Sequence, residues 1–430
     1  MILSFGSFLA LLIAGAPMVF VLGVAGALTL AITGATPLVV VAQRLYNGLD
    51  SFPLMAIPFF VAAGIIMEQG GIARAMVGLA TALVGWIRGS LFMVATVTAT
   101  GLAAISGSGS ADTAAISSIL LPEMRRRGYD IDYAAAVVAS AGVLGPIIPP
   151  SIIMVVLAMI SDLSVGTMFL GGIVPGLIAA IGLMLGHWLF ARREPARYAD
   201  AEPFSVPRLG KAFVAALPAL AMPVIVVFGI VGGIVTPTEA AVLAVVAGLI
   251  IGLFIYREIA IKDLPAMMLR AAGLSSAVMI IIGTASIFSW LVAVQDVPQL
   301  AAAWLQTNAG SPAAFLLAAN ILLLVVGMFM ESISALLILM PVLMPVAIQL
   351  GIDPVHFGVV VAINLSIGLI TPPYGICLFV ASTVARRSVM QVSRVIWIPL
   401  IPLVLMLLLS TYVPQVVLWL PRTLMQGAVP

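Results

Sequence analysis

Two short stretches combine small residues with neutral oxygens. Ser106-Gly107-Ser108-Gly109-Ser110 offers three hydroxyls on a backbone that glycine leaves free to approach its neighbours, and Asp112 follows at once. Glu331-Ser332-Ile333-Ser334 opens with a carboxylate and adds two hydroxyls. Hydroxyl and carbonyl oxygens are the ligands a hard cation prefers, and neutral ones suit a monovalent ion. Downstream of each stretch stands a glycine with paired prolines. These are Gly145-Pro146-Ile147-Ile148-Pro149-Pro150 and Gly368-Leu369-Ile370-Thr371-Pro372-Pro373. Consecutive prolines remove two backbone donors and clash with the preceding turn, so a helix that carries them is interrupted.

Composition says where such elements must sit. Of 430 residues 63% are apolar and only 8% charged, with a mean hydropathy of +1.27. A soluble surface needs about a quarter charged residues, so the chain reads as a polytopic helical membrane protein. A barrel would show short alternating strands instead of long apolar runs. A net charge of +2, with no basic run longer than Arg125-Arg126-Arg127, leaves no nucleic-acid footprint. The single cysteine, Cys377, cannot close an internal disulfide, and His187 and His356 form no Cys/His cluster of the zinc type. No HExxH, GxSxG, aspartate-rich or Walker A motif suggests an enzyme. No basic segment precedes the apolar stretch Ile2–Ala14, so the N-terminus is expected to be retained rather than cleaved.

The polar connector 192–211, with Arg192, Arg193, Pro195, Asp200 and Lys211, divides the chain into halves 1–191 and 212–430. Leu120–Ala158 aligns with Leu343–Ala381 without a gap, with 13 of 39 pairs identical, among them Pro122/Pro345, Gly128/Gly351 and Asp130/Asp353. Arg125–Arg127 marks a cytoplasmic loop whose partner positions Ile348–Leu350 are uncharged; Arg386, Arg387 and Arg394 reverse the asymmetry one element later. Basic loops that alternate sides imply an inverted repeat.

Each half is expected to hold a re-entrant helical hairpin, at about 91–121 and 312–345, and a broken helix, at about 133–160 and 355–383. The returning arms Asp112–Leu121 and Ser332–Met344 would reach only about 15 and 20 Å, short of the roughly 30 Å hydrocarbon core. Further spans are expected at Met168–Phe190, Phe213–Val231, Thr238–Ile255, Ala272–Val294 and Val395–Leu420. Ile2–Ile32 reads as one tilted span or two shorter elements.

A hairpin apex facing a helix break concentrates unpaired backbone groups, whose carbonyl ends suit a cation and whose N–H ends suit an anion. The second apex is expected to face Asn364, Gly368 and Thr371, and the duplication suggests two cation sites with a substrate anion between them. Plain close packing of small residues is the competing explanation. Asp112 is read as a helix cap or an ion-site carboxylate. Glu331 could tune a cation site, take up a proton or bond exposed N–H groups. The coupling positions are therefore Asp112, Glu331, Asn364 and the pairs Pro149-Pro150 and Pro372-Pro373. Thr236-Pro237-Thr238-Glu239 reads as a helix start, His187 as a satisfied helix residue, and Glu68, Arg74 and Asp162 as interfacial.

Ile105-Ser-Gly-Ser-Gly-Ser-Ala-Asp-Thr-Ala-Ala-Ile116, Leu121-Pro-Glu-Met-Arg-Arg-Arg-Gly-Tyr129 and Gly145–Ser151 together resemble the large membrane subunit of tripartite ATP-independent periplasmic transporters. So do Phe52-Pro-Leu-Met-Ala-Ile-Pro58, Thr236-Pro-Thr-Glu-Ala-Ala241 and Ile370-Thr-Pro-Pro-Tyr-Gly375, which spread the likeness over the whole chain. The resemblance implies an elevator-type importer of organic acids such as C4-dicarboxylates or sialic acids in the bacterial inner membrane. It implies sodium as coupling ion, no other cofactor, and two partners: a small four-helix membrane subunit, here a separate polypeptide, and a periplasmic binding protein. Carried over, the first sodium site involves Ser106, Ser108 and Ser110 with Gly145 and Ile148 backbone oxygens. The second involves Ser332, Gly368 and Thr371, with Glu331 nearby where the family more often has aspartate. The alternative is a stand-alone sodium/organic-anion symporter of similar architecture.

Overall fold

The structure, a computed structural model, describes residues 2–33, 36–194, 196–198, 202–297, 299 and 311–425. Among these residues the secondary structure is helical, with no strand. Six helices are long and apolar enough to cross a bilayer, and eight if two bent pairs each count as one crossing. The chain opens with α1 (Ile2–Ile13), α2 (Met18–Thr33), α3 (Val39–Leu49), α4 (Ala56–Gln69) and α5 (Ile72–Val84). The first hairpin is α6 (Ser90–Ser106) and α7 (Gly109–Arg126); the first broken helix is α8 (Ile131–Gly142) and α9 (Ile152–Ile160), followed by α10 (Val165–Ala191). Next come α11 (Val206–Val231), α12 (Pro237–Ile250) and α13 (Leu264–Val294). The second hairpin is α14 (Pro312–Phe329) and α15 (Ser332–Gln349), and the second broken helix α16 (Pro354–Gly368) and α17 (Ile376–Ala385). α18 (Val389–Ser393), α19 (Trp397–Tyr412) and α20 (Gln415–Leu424) complete the described chain.

The matched glycines and aspartates build the same corner twice. Gly128 and Gly351 both take φ of +75° and end the hairpin arm. Each does so with paired bonds, Gly128 N to Arg125 O and Tyr129 N to Met124 O, then Gly351 N to Ile348 O and Ile352 N to Ala347 O. Two residues later Asp130 and Asp353 cap the broken helix, each Oδ1 accepting from two backbone N–H groups at 2.9–3.1 Å. The identities shared by the halves are thus a helix stop followed by a helix start.

α2–α5 pack with α11–α13 into a framework, on which the hairpins lean through α6 against α5 and α15 against α13. Inside it the halves interlock. α9 packs on α15 and α16 of the second half, while α17 packs on α7 and α8 of the first. Each broken helix therefore sends its second piece into the other copy. Arg387 of the second half also donates to Asp132 of the first, at 2.7 Å to Oδ2.

Several elements differ from the sequence-based expectation. The returning arms do not stop at Leu121 and Met344. They run to Arg126 and Gln349, 18 residues each, or about 27 Å. Pro122 lies inside α7, and Pro341 and Pro345 inside α15, because neighbouring helices hold the chain across each missing bond. Conversely Val395–Leu420 is not one continuous helix: α19 and α20 bend by 62° around Val413-Pro414. The stretch 2–32 is two helices, parted at Gly15 (φ +74°) and Pro17. Residues 206–211 of the expected connector belong to α11, with Pro207 in the first turn, where its missing N–H costs nothing. Pro195 and Asp200 of that connector lie outside the described residues. Thr236 and Glu239 do form the reciprocal cap of α12.

At the basic end of the first hairpin an aromatic cluster joins five segments. Phe92 of α6 meets Tyr129 of the corner, Tyr133 of α8, Phe190 of α10 and Tyr198 of the connector, mostly edge-on with centroids 4.8–6.4 Å apart. Tyr133 stacks on Phe190 and its hydroxyl lies 3.0 Å from His187 Nδ1. Phe92 has no exposed surface. Phe92→Ala should cost about 3–5 kcal/mol, read as a lower thermal unfolding temperature in detergent; an unshifted transition would show that the cluster does not hold these segments together.

Candidate functional site

The first hairpin reverses in two residues. α6 ends at Ser106, Gly107 takes φ of +62°, and Ser108 is extended and caps α7. Ser108 N–H donates to the Ser106 hydroxyl oxygen at 3.1 Å, and the Ser108 and Ser110 hydroxyls are 3.5 Å apart. The Ser106 hydroxyl donates to Asp112 Oδ1 at 2.6 Å. This apex sits on the first break. A methyl group at Gly107 would run into the Pro150 carbonyl, and one at Gly145 would come within 2.8 Å of Asp112 Oδ2 and 2.9 Å of Gly109 N. Residues 143–151 are buried throughout; Pro149-Pro150 is cis, and Ser151 donates to the Pro146 carbonyl at 2.6 Å while capping α9. Ser106, Ser108, Ser110, Asp112, Gly145, Pro149 and Pro150 thus form one cluster. Ile148 shares the break, but its side chain turns to Gly176 of α10.

The second apex is built differently. Glu331 caps α15, its Oε2 accepting from Ile333 and Ser334 N–H at 3.0 and 3.2 Å. Of the three roles open to Glu331, bonding exposed N–H groups is the one the geometry displays. The Ser332 hydroxyl donates to the Leu365 carbonyl at 3.2 Å, and a methyl at Gly368 would come within 2.8 Å of the Gly327 carbonyl oxygen. Thr371 donates to the Ile367 carbonyl at 2.8 Å, and Pro372-Pro373 is again cis. Unlike the first break, this one is buried only as far as Thr371: Pro373 and the following Tyr374 are exposed, as is Glu331 at the apex.

Asn364 spends its amide nitrogen on the hairpin arm and keeps Oδ1 buried without a hydrogen-bond partner. Its Nδ2 donates to Asn320 Oδ1 at 2.7 Å and to the Asn320 carbonyl at 3.0 Å, and Asn320 Nδ2 donates to Thr411 Oγ1 at 3.0 Å. It ties α16 to α14 and α19, since a buried amide goes to whichever partner lies beside it. The sequence reading passes over Asn320, whose one signal is an amide inside an apolar span. It also passes over Cys377 and Leu369 as neighbours of the first apex: a methyl at Gly109 would meet the Gly142 carbonyl at 2.8 Å, Leu369 Cδ1 at 3.1 Å and Cys377 Sγ at 3.3 Å. The first apex therefore touches both breaks.

This arrangement can ligate a cation. The hydroxyls of Ser106, Ser332 and Thr371 donate their protons to protein oxygens, which leaves lone pairs free. The C-terminal ends of α6 and α8 converge on the first apex and add partial negative charge. Asp112 is 2% exposed, is not the cap of α7, and keeps Oδ2 buried without a hydrogen-bond partner. Such an oxygen is costly to bury unless something binds it.

Comparison with known proteins agrees with this architecture. The chain is similar to the crystal structure of the Alcanivorax borkumensis YdaH transporter, with a TM-score of 0.61 at 14% identity, covering 91% of this chain and 89% of that one, a likeness of fold. It is 42% identical over 413 residues to the isethionate TRAP transporter permease protein DctMQ of Oleidesulfovibrio alaskensis, covering 96% of this chain and 65% of that protein's length. It is 38% identical to the C4-dicarboxylate TRAP transporter large permease protein DctM of Rhodobacter capsulatus, covering 98% and 99% of the two chains. It is 35% identical to the sialic acid TRAP transporter large permease protein SiaM of Vibrio cholerae, covering 98% of each. Residues 5–416 match the family described as tripartite ATP-independent periplasmic transporter, DctM component, and the chain belongs to that family of transporter large permease subunits.

Proposed function

We propose that this chain is the membrane subunit through which an organic acid, delivered by a periplasmic binding protein, is imported at the expense of a sodium gradient across the bacterial inner membrane. A small four-helix membrane subunit completes the assembly. What carries this reading is the first apex, where the buried Ser106 and Asp112, with one unpartnered carboxylate oxygen, meet the half-buried Ser108 and Ser110 and two helix C-termini. Sodium is cargo here. One ion is held by Ser106, Ser108 and Ser110 with backbone oxygens of Gly145 and Ile148, beside Asp112. A second is held by Ser332, Gly368 and Thr371, near Glu331. The similar proteins are named for isethionate, C4-dicarboxylates and sialic acid, all organic acids, and this chain's substrate is placed in the same class.

The hairpins and broken helices move as one group against the α2–α5 and α11–α13 framework, carrying both ions and the acid in an elevator motion. Two sodium ions with a monoanion move one net charge, worth ~2.3 kcal/mol per 100 mV. That is roughly 50-fold accumulation before the chemical gradient is counted.

In proteoliposomes holding this chain and its small subunit, uptake of the acid should require both an inward sodium gradient and the loaded binding protein. Uptake by this chain alone would identify a self-sufficient symporter instead. Ser106→Ala and Thr371→Val should each raise the sodium concentration for half-maximal uptake by about five- to tenfold, the equivalent of ~1–1.4 kcal/mol. Unchanged sodium dependence in both variants would remove those hydroxyls from the sites.

A further inference from the structure

A cavity lies outside the apex, and a smaller space stands between the two. About 220 Å³ in volume, the cavity lies between the α4–α5 bend, α7 and the loop after α12, and Glu68, Arg74, Ser118 and Glu258 supply polar lining. A constriction of about 10 Å³ continues inward to Ser106 and Asp112. That is room for roughly one water. Glu68, Ala73 and Ala115 line both spaces, so the two adjoin.

The charges along the two spaces sort by depth. At the mouth Arg74 and Glu258 pair at 2.6 Å, both exposed, and largely cancel. Arg270 reaches Glu68 Oε2 at 3.5 Å without lining either space. Facing inward are Glu68 and then Asp112, with its buried and unpartnered Oδ2. Among the described residues no basic side chain lines the constriction. A narrow passage with carboxylates at both stations concentrates cations and repels anions.

Its sidedness follows from α7. The cavity borders that helix at Ala114–Ile119, between the apex and the basic end Arg125–Arg127, and Glu258 stands between Arg257 and Lys262. Basic residues at both margins place the mouth on the cytoplasmic side.

We propose that these spaces form a passage for a monovalent cation between the cytoplasm and the first apex, with Glu68 as its outer carboxylate station and Asp112 as its inner one, and with the Arg74–Glu258 pair across its mouth. The inference deepens the sodium-coupled reading and rests on it.

The test is thiol modification at Ala115, on the wall common to both spaces, in the complete complex in inside-out vesicles. The unsubstituted complex is the blank for this chain, because its Cys377 is buried. With Ala115→Cys, a trimethylammonium-ethyl methanethiosulfonate should react at least about tenfold faster than the sulfonate-ethyl reagent, after correction for their rates on a small free thiol. Sodium, and not choline at equal ionic strength, should slow the cationic reagent. Adding Glu68→Gln should bring the corrected ratio close to one. No reaction from the cytoplasmic side, a preference for the anionic reagent, or a ratio unmoved by Glu68→Gln would each overturn the passage. If Ala115→Cys does not fold, Ser118→Cys, in the outer lining, carries the same measurement. The readout needs no transport, so sodium-independent uptake with intact charge selection would sink the coupling and leave the passage standing.

Discussion

Backbone N–H and C=O groups at membrane depth must find partners within the protein, and this fold opens its backbone there four times. Two hairpin apices and two helix breaks would each be costly in hydrocarbon if left alone. They are brought together instead, through contacts that only glycine permits. Gly107 lies on the Pro150 carbonyl, Gly145 beneath Asp112, and Gly368 on Gly327. Side-chain oxygens complete the closure: Ser151 takes up the Pro146 carbonyl, Ser332 that of Leu365, and Thr371 that of Ile367. What this closure leaves over is a small set of oxygen lone pairs and one buried, unpartnered carboxylate oxygen.

The repeat explains how two such closures coexist. Each hairpin is joined to its broken helix by the same corner, a left-handed glycine followed by a capping aspartate, so the two copies present the same elements. Exchange of α9 and α17 then makes each copy complete the packing of the other. The copies are not equivalent in chemistry. The first apex is a run of hydroxyls over a buried break, and the second a carboxylate cap beside a break buried as far as Thr371 and exposed at Pro373. Symmetry of the backbone with asymmetry of the side chains gives the two apices different polar groups within one fold.

Where a residue's local conformational preference decides its structure, the reading from sequence holds. Paired prolines cannot continue a helix, and both breaks fall within two or three residues of Gly145–Pro150 and Gly368–Pro373. Single prolines are another matter. Pro122, Pro341 and Pro345 stay within helices, whereas the chain bends at Pro414. The cost of one missing hydrogen bond is small enough for packing on either side to settle the outcome. Both expected arms end one residue before a proline, at Leu121 and Met344, and both helices run on through it.

The long-range pairings had no local signature at all. The Asn364–Asn320–Thr411 chain, Glu68 beside the space that Asp112 lines, and Cys377 against the first apex join residues far apart in sequence, and an amide or acid in an apolar run announces a need for a partner without naming it. By itself the sequence determined the membrane setting, the duplicated breaks and the corner caps, because solvation and backbone sterics act residue by residue. Only the tertiary structure decided which apex meets which break, that Glu331 is a cap, and that Asp112 keeps one oxygen unpaired, because those outcomes depend on which groups the packed helices bring within hydrogen-bonding reach.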